Sequence, residues 1–343
     1  MKLSVTKRII LSLLILLTVG VVSVVLFLPP TYAPVTFPDG KDFAFTIFDD
    51  TDASTIENVK PVYDYLYDLG IITTKSVWVL PTNEPDVFVS NGQTLSDPDY
   101  VSFVLDLQKK GFEIASHGSR GGSTKHPEIQ IAIERFKEIV GHYPHTHANH
   151  FRNRDNLYHG ANRLEIWPLK DLYHLITRRD KDYFVGHIRE SEYFWGDIAQ
   201  KHVTYVRNFT YKDINTLKVN PSMPYHDPKK PYVNFWFSSS DGRNVKFFNQ
   251  LLSKENLDRL EREGGVCIVY THFANGFVSD TLLNRTTVER LQDLASRNGY
   301  FAPVNETLDY LKLHHSRGRN LSWRERLTME IRWILEKIIH GTY

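Results

Sequence analysis

The sequence predicts an α/β chain: a distorted (β/α) barrel of about seven units, preceded by one transmembrane helix. Three observations lead there. An uncharged apolar run spans residues 9–28. Strand-like and helix-like patterns then alternate at the spacing of βα units. Four of the strand-like runs end in Asp or His, and a parallel barrel collects its strand ends on one rim.

The apolar run reads IILSLLILLTVGVVSVVLFL. As a helix it is roughly 30 Å long, the thickness of a hydrocarbon core. Lys2, Lys7 and Arg8 precede it and Pro29-Pro30 end it. The basic flank places residues 1–8 in the cytoplasm and the rest of the chain outside, as a single-pass membrane protein. A cleaved signal peptide is the rival reading, but its apolar stretch is usually about 7–15 residues, and no clean A-x-A site follows. Residues 29–40, rich in Pro and turn formers, form a linker to a barrel domain over 41–315.

Within that domain, residues 42–48 (DFAFTIF) alternate as a strand, and 53–69 carry the apolar spacing of a helix stopped by Gly70. A second strand follows at 73–80, a helix at 100–111, a third strand at 112–118, a helix at 129–141 and a fourth strand at 143–150. Later strands are expected at 182–187, 203–209, 232–239 and 266–273, with a helix at 288–299. The same alternation also suits a doubly wound open sheet.

Composition excludes some partners. With 41 Lys and Arg against 40 Asp and Glu, the formal charge is +1, and there is no basic stripe or nucleic-acid motif. The single cysteine, Cys267, lies in an apolar run and reads as a small buried residue.

The rim carries the chemistry. Strand one ends Phe48-Asp49-Asp50-Thr51-Asp52, strand three Ser116-His117-Gly118, strand four His145-Thr146-His147-Ala148-Asn149-His150, and the last strong strand Tyr270-Thr271-His272. Carboxylate and imidazole together make a ligand set for zinc or a similar divalent metal. Each piece also has a plainer reading. Thr51, Asp52 and Ser54 suit a helix N-terminus, and a single strand-end His is often a hydrogen-bonded structural residue. Strand alternation puts His145 and His147 on one face, while His150 can turn inward as the strand ends.

These motifs resemble the NodB-homology polysaccharide deacetylases, a carbohydrate esterase family 4-like group. Thr46-Ile47-Phe48-Asp49-Asp50 is similar to the family's T-F-D-D, and GFEIASHG around His117 to its second motif. Tyr270-Thr271-His272 is similar to its L-x-H. The resemblance implies Asp49 as general base, Asp50 and His117 as metal ligands, and His272 as general acid. Two motifs depart: Gly121 stands where the family has its second histidine, and Arg-x-Pro-Tyr is absent. His147 or His150 is the expected replacement ligand. The implied activity is metal-dependent removal of an acyl group, expected to be N-acetyl, from a cell-surface or exported polysaccharide. Two alternatives stand beside it: a non-catalytic glycan-binding or assembly module, and a glycoside hydrolase pairing Asp49 with Asp52 or Asp155.

The C-terminal segment 316–343 contains an amphipathic helix with a stripe of Trp323, Leu327, Ile331, Ile334 and Ile338. It can lie on the membrane interface or pack on its own domain.

Overall fold

The computed structural model describes Gly20, residues 34–177 and residues 183–341. Apart from Gly20, the expected transmembrane segment 9–28 lies outside the described residues. Among the described residues no helix is long and apolar enough to cross a membrane.

Seven parallel strands form the barrel: β1 (Phe43–Asp49), β2 (Thr74–Val77), β3 (Glu113–Ser116), β4 (Thr146–His147), β5 (Tyr205–Tyr211), β6 (Phe235–Asp241) and β7 (Val266–Thr271). Each pairs with the next, and β7 returns to pair with β1 from Ala44↔Val266 to Asp49↔Thr271. That closure decides against the open doubly wound sheet. A further short strand, Gly299–Tyr300, pairs with the start of β1, while β2 pairs with its end.

Two expected strands differ. The fourth shrinks from 143–150 to Thr146–His147, because the chain beyond Ala148 turns into a loop held by side-chain amides. Asn149 Nδ2 donates to the Leu157 carbonyl at 2.9 Å, and Asn156 Nδ2 donates to the carbonyl of His150. The run at 182–187 is no strand over its described residues 183–187. There Val185 N donates to Arg154 O, and Gly186 packs so closely on Asp155 that a Cβ would meet its carbonyl oxygen at 1.9 Å.

The two-residue period of the strands divides the core. Phe43, Phe45 and Ile47 of β1 pack outward under the helices, with Val77, Ile114, Cys267 and Val269. Ala44 and Phe48 point inward, joined by Ala115, Ala148, Tyr205, Phe237, Val266 and Ile268. The helix Val304–Leu311 plugs the N-terminal end of the barrel with Val304, Leu308 and Leu311.

Beside this plug Glu113 is buried, accepting hydrogen bonds from Thr74 Oγ1 and Thr146 Oγ1, both 2.7 Å, and from Asn305 N at 3.0 Å. Burial pushes its carboxyl up to about 7, opposed by those hydrogen bonds and aided by the charge of Glu306. The native state therefore holds a proton that the unfolded chain releases near its ordinary carboxylate value. Stability should fall by roughly 1–3 kcal/mol as pH rises from about 4.5 to 7 and then level off with respect to this group. Glu113→Gln should flatten that slope in urea unfolding at successive pH values; an unchanged slope would place the titration elsewhere.

The C-terminal helix Trp323–His340 starts at a capping box between Ser322 and Glu325. It packs on its own domain, burying Met329, Ile331, Trp333 and Ile334. The Trp333 ring stacks on Tyr173 of the helix Trp167–Thr177 at 5.6 Å, and Glu330 accepts from the amides of Glu165 and Ile166 at that helix's start. The expected stripe is thus rotated: Trp323 and Ile338 are exposed, and much of the apolar face proposed for a membrane is already covered by protein.

Candidate active site

The inward phase of each strand carries on past its end and builds the site. Phe48 is followed two residues on by Asp50, Ala115 by His117, Ala148 by His150, and Tyr205 by Arg207, while Ile268 leads through Tyr270 to His272. Asp50, Asp52, His117, Arg207, Tyr270 and His272 line a cavity of about 470 Å³ at the C-terminal mouth of the barrel. Its outer walls come from Phe151, His159, Arg163, Tyr173 and, from the C-terminal helix, Lys337.

Asp52 lies at the centre of the histidines. Its Oδ1 is 2.9 Å from His117 Nε2, and its Oδ2 is 3.5 Å from both His150 Nε2 and His272 Nε2. Asp50 sits alongside, 3.9 Å from His117 Nδ1 and 3.9 Å from His272 Nε2. The Arg207 guanidinium grips it with two hydrogen bonds, Nη1 to Oδ1 at 2.8 Å and Nη2 to Oδ2 at 2.5 Å. Arg207 lies over the rings of Phe48 and Tyr270, 5.1 and 4.7 Å from their centroids. Burial alone would raise both carboxyls. The opposing charges of Arg207, His117 and His272 hold Asp50 low, and His150, His117 and His272 hold Asp52 well below its ordinary value.

Hydrogen bonds at the far nitrogens orient the imidazoles. His150 Nδ1 faces Asn153 Oδ1 at 2.8 Å, and His272 Nδ1 faces the Arg243 carbonyl at 2.8 Å. Those acceptors place a proton on each Nδ1, so each Nε2 turns toward Asp52. Burial works against protonation of His272, but the hydrogen bond and charge of Asp52 and the charge of Asp50 carry it up to about 9. His150 is likewise raised, burial being outweighed by Asp52.

Three expected residues lie elsewhere than their expected roles require. Asp49 is fully buried and does not line the cavity. By the strand's period it follows Phe43, Phe45 and Ile47 into the outer layer, where Tyr63, Lys75 and the Phe273 amide occupy its oxygens. Asp50 does reach the mouth, but Arg207 takes both its oxygens, and Asp52 has the central place among the histidines. His147 shares the outward phase of its strand: Nδ1 meets Ser116 Oγ at 3.1 Å, Nε2 meets Asn149 Oδ1 at 3.3 Å, and burial takes it down to about 3. His150 therefore belongs to the cluster and His147 does not. His145 is exposed at the other end of β4. Asp155 lines a separate small pocket of about 20 Å³, so neither Asp49 nor Asp155 supplies a carboxylate to the main cavity for glycoside hydrolysis.

Sequence reasoning missed Arg207 and Lys75. The signal was a lone cation inside an apolar strand run, since such residues are almost never fully buried unless paired.

The donors suit a divalent ion in kind: one carboxylate and up to three imidazoles. Buried Asp52 Oδ1 and His150 Nε2 make no well-aligned hydrogen bond, although His117 Nε2 lies 2.9 Å from the first and Asp52 Oδ2 3.5 Å from the second, so both atoms have coordination capacity to spare. As the side chains stand, no group of three or more ligands among the described residues is arranged to hold an ion.

No family model matches the chain, and no curated relative was found. Solved structures resemble it in overall fold. One is a Mycobacterium smegmatis protein described as a polysaccharide deacetylase, at 13% identity and TM-score 0.47, covering 85% of this chain and 98% of that one. Another is Puue allantoinase, at 11% identity and TM-score 0.49, covering 84% and 96%. At such identities the likeness concerns the fold alone.

Proposed function

We propose that the protein is an amide hydrolase that removes an acyl group, N-acetyl in the first instance, from a cell-surface or exported polysaccharide. The observation that carries this reading is the meeting of Asp52 with His117, His150 and His272 beside Asp50, at a cavity large enough for a sugar unit that all of these but His150 line. Asp52, His117 and His150 would hold a divalent ion, zinc being our choice for an imidazole–carboxylate set. When bound, such an ion polarises a carbonyl and makes water a nucleophile near neutral pH. Asp50, kept ionised by Arg207, accepts the proton of the attacking water. His272, whose charged form Asp52 and Asp50 favour against the cost of burial, donates a proton to the leaving amine. Phe151 on the cavity wall offers a ring face for a pyranose.

Location belongs to the same proposal. Residues 9–28 anchor the chain as a single-pass protein with residues 1–8 in the cytoplasm, and the barrel works on the outer side, where the polymer is exported.

Acetate release from acetylated amino-sugar polymers and oligomers, before and after chelation and with zinc restored, tests the reaction. Chelation should lower release at least about 100-fold, and zinc should restore it. No release from any acylated glycan under any metal, by wild type and Asp52→Ala alike, would sink the proposal.

A further inference from the structure

Beneath the site, on the outer face of β1 and β2, lies an ion pair that the proposed reaction does not use. Lys75 Nζ donates to Asp49 Oδ2 at 2.8 Å, and both side chains are fully buried. Tyr63 donates to the same oxygen at 2.9 Å. The other oxygen, Oδ1, accepts from the backbone amide of Phe273 at 2.9 Å. Phe273 directly follows His272, whose Nδ1 is tied on its other side to Arg243 O. The backbones are linked as well: Asp50 N donates to Thr271 O at 2.8 Å, and Ser76 Oγ donates to Asp49 O at 2.8 Å.

A buried ion pair is a poor device for stability, since apolar residues of equal volume often serve as well or better. What an apolar pair could not supply here is an acceptor for the Phe273 amide. We propose that Asp49, held by Lys75 and Tyr63, is a positioning residue: its carboxylate fixes the Phe273 amide and so aims His272 at Asp52 and Asp50. Asp49 thus ties the β1 loop carrying the two site carboxylates to the β7 loop carrying the imidazole. The kinetic part of this inference rests on the hydrolase reading above; the hydrogen bond itself does not.

Two double variants separate the roles, each removing both buried charges so that no lone ion remains. Asp49→Asn with Lys75→Met keeps an amide oxygen for Phe273 N; Asp49→Ala with Lys75→Met removes the acceptor. The Asn pair should keep turnover near that of wild type. The Ala pair should lose kcat about 10- to 100-fold with KM within about twofold, as expected for a misplaced proton donor. In parallel, hydrogen exchange at the Phe273 amide should stay slow in the Asn pair and quicken at least about 10-fold in the Ala pair, whether or not any acylated substrate is turned over. If both folded pairs lose turnover equally, the carboxylate itself reacts and the positioning role is overturned. If both keep turnover, or Phe273 exchange is the same in both, it is overturned as well. Should the Ala pair fail to fold, the Asn pair still decides: retained turnover with a protected Phe273 amide supports the role, and lost turnover contradicts it. Absence of acyl release by wild type would count against the hydrolase reading, leaving the exchange comparison to judge the hydrogen bond.

Discussion

Asp52→Asn is expected to abolish tight divalent-ion binding and to lower kcat/KM for acyl release by about 10³-fold, or roughly 4 kcal/mol of transition-state stabilisation. The substitution keeps the shape of the side chain and removes the negative charge that three imidazoles face at 2.9 to 3.5 Å. Without it, the Nε2 atoms of His150 and His272 lose their shared counter-charge. Two comparisons give the result its meaning. Asp50→Asn should keep the ion, because Asp50 is committed to Arg207, and should fail in turnover. His147→Gln should keep both ion and turnover, because His147 lies between Ser116 and Asn149 outside the cluster. Metal content by elemental analysis of the purified proteins, with acetate release, reads all three. Ion binding retained by Asp52→Asn and lost by Asp50→Asn would restore the motif-based assignment and overturn the geometric one.

That contrast shows how far the sequence could be read. The barrel, its approximate unit number and the rim of Asp and His residues followed from alternation and strand ends, because those patterns repeat along the chain. Assigning single residues on the rim needed the phase of each strand. In DFAFTIFDD, bulky Phe43, Phe45 and Ile47 share one face with Asp49, while Ala44, Thr46 and Phe48 share the other with Asp50. Which face looks inward is not fixed by the pattern, since a barrel strand is apolar on both sides. The short β4 posed the same problem: His147 takes the outer face, His145 precedes the strand and is exposed, and the loop after Ala148 brings His150 in. Asp52 was read as a helix-capping candidate or as the second carboxylate of a glycoside hydrolase and not as a ligand, because nothing local distinguishes a cap from a ligand. Arg207 and Lys75 act through residues 157 and 26 positions away, separations that no local pattern encodes. The C-terminal helix was found within its expected segment, 316–343. Its buried face was misjudged, because Trp333 is chosen by Tyr173 and the amides of Glu165 and Ile166 by Glu330, not by the helix's own periodicity.

His272→Gln should cost about 10²- to 10⁴-fold in kcat toward an amide, the usual contribution of a positioned proton donor. The loss should be much smaller toward an aryl acetate, whose phenolate leaves without being protonated. The sign of the pH dependence follows from the folded value of about 9. Below it the imidazole is charged and can donate; above it the donor is lost, so amide turnover should fall about tenfold per pH unit on the alkaline side. In chelated protein His272 should titrate near that value by NMR. A divalent ion at Asp52 would compete for the charge that holds the imidazolium, so the alkaline limb of turnover in the zinc form should lie below the His272 value read by NMR in chelated protein and never above it. Asp50→Asn should also lower the His272 value, since Asp50 contributes to raising it. An alkaline limb that persists unchanged in His272→Gln would assign the proton donor to another group. Equal losses toward amide and aryl ester would show that His272 holds the substrate or the site in place and does not protonate the leaving group.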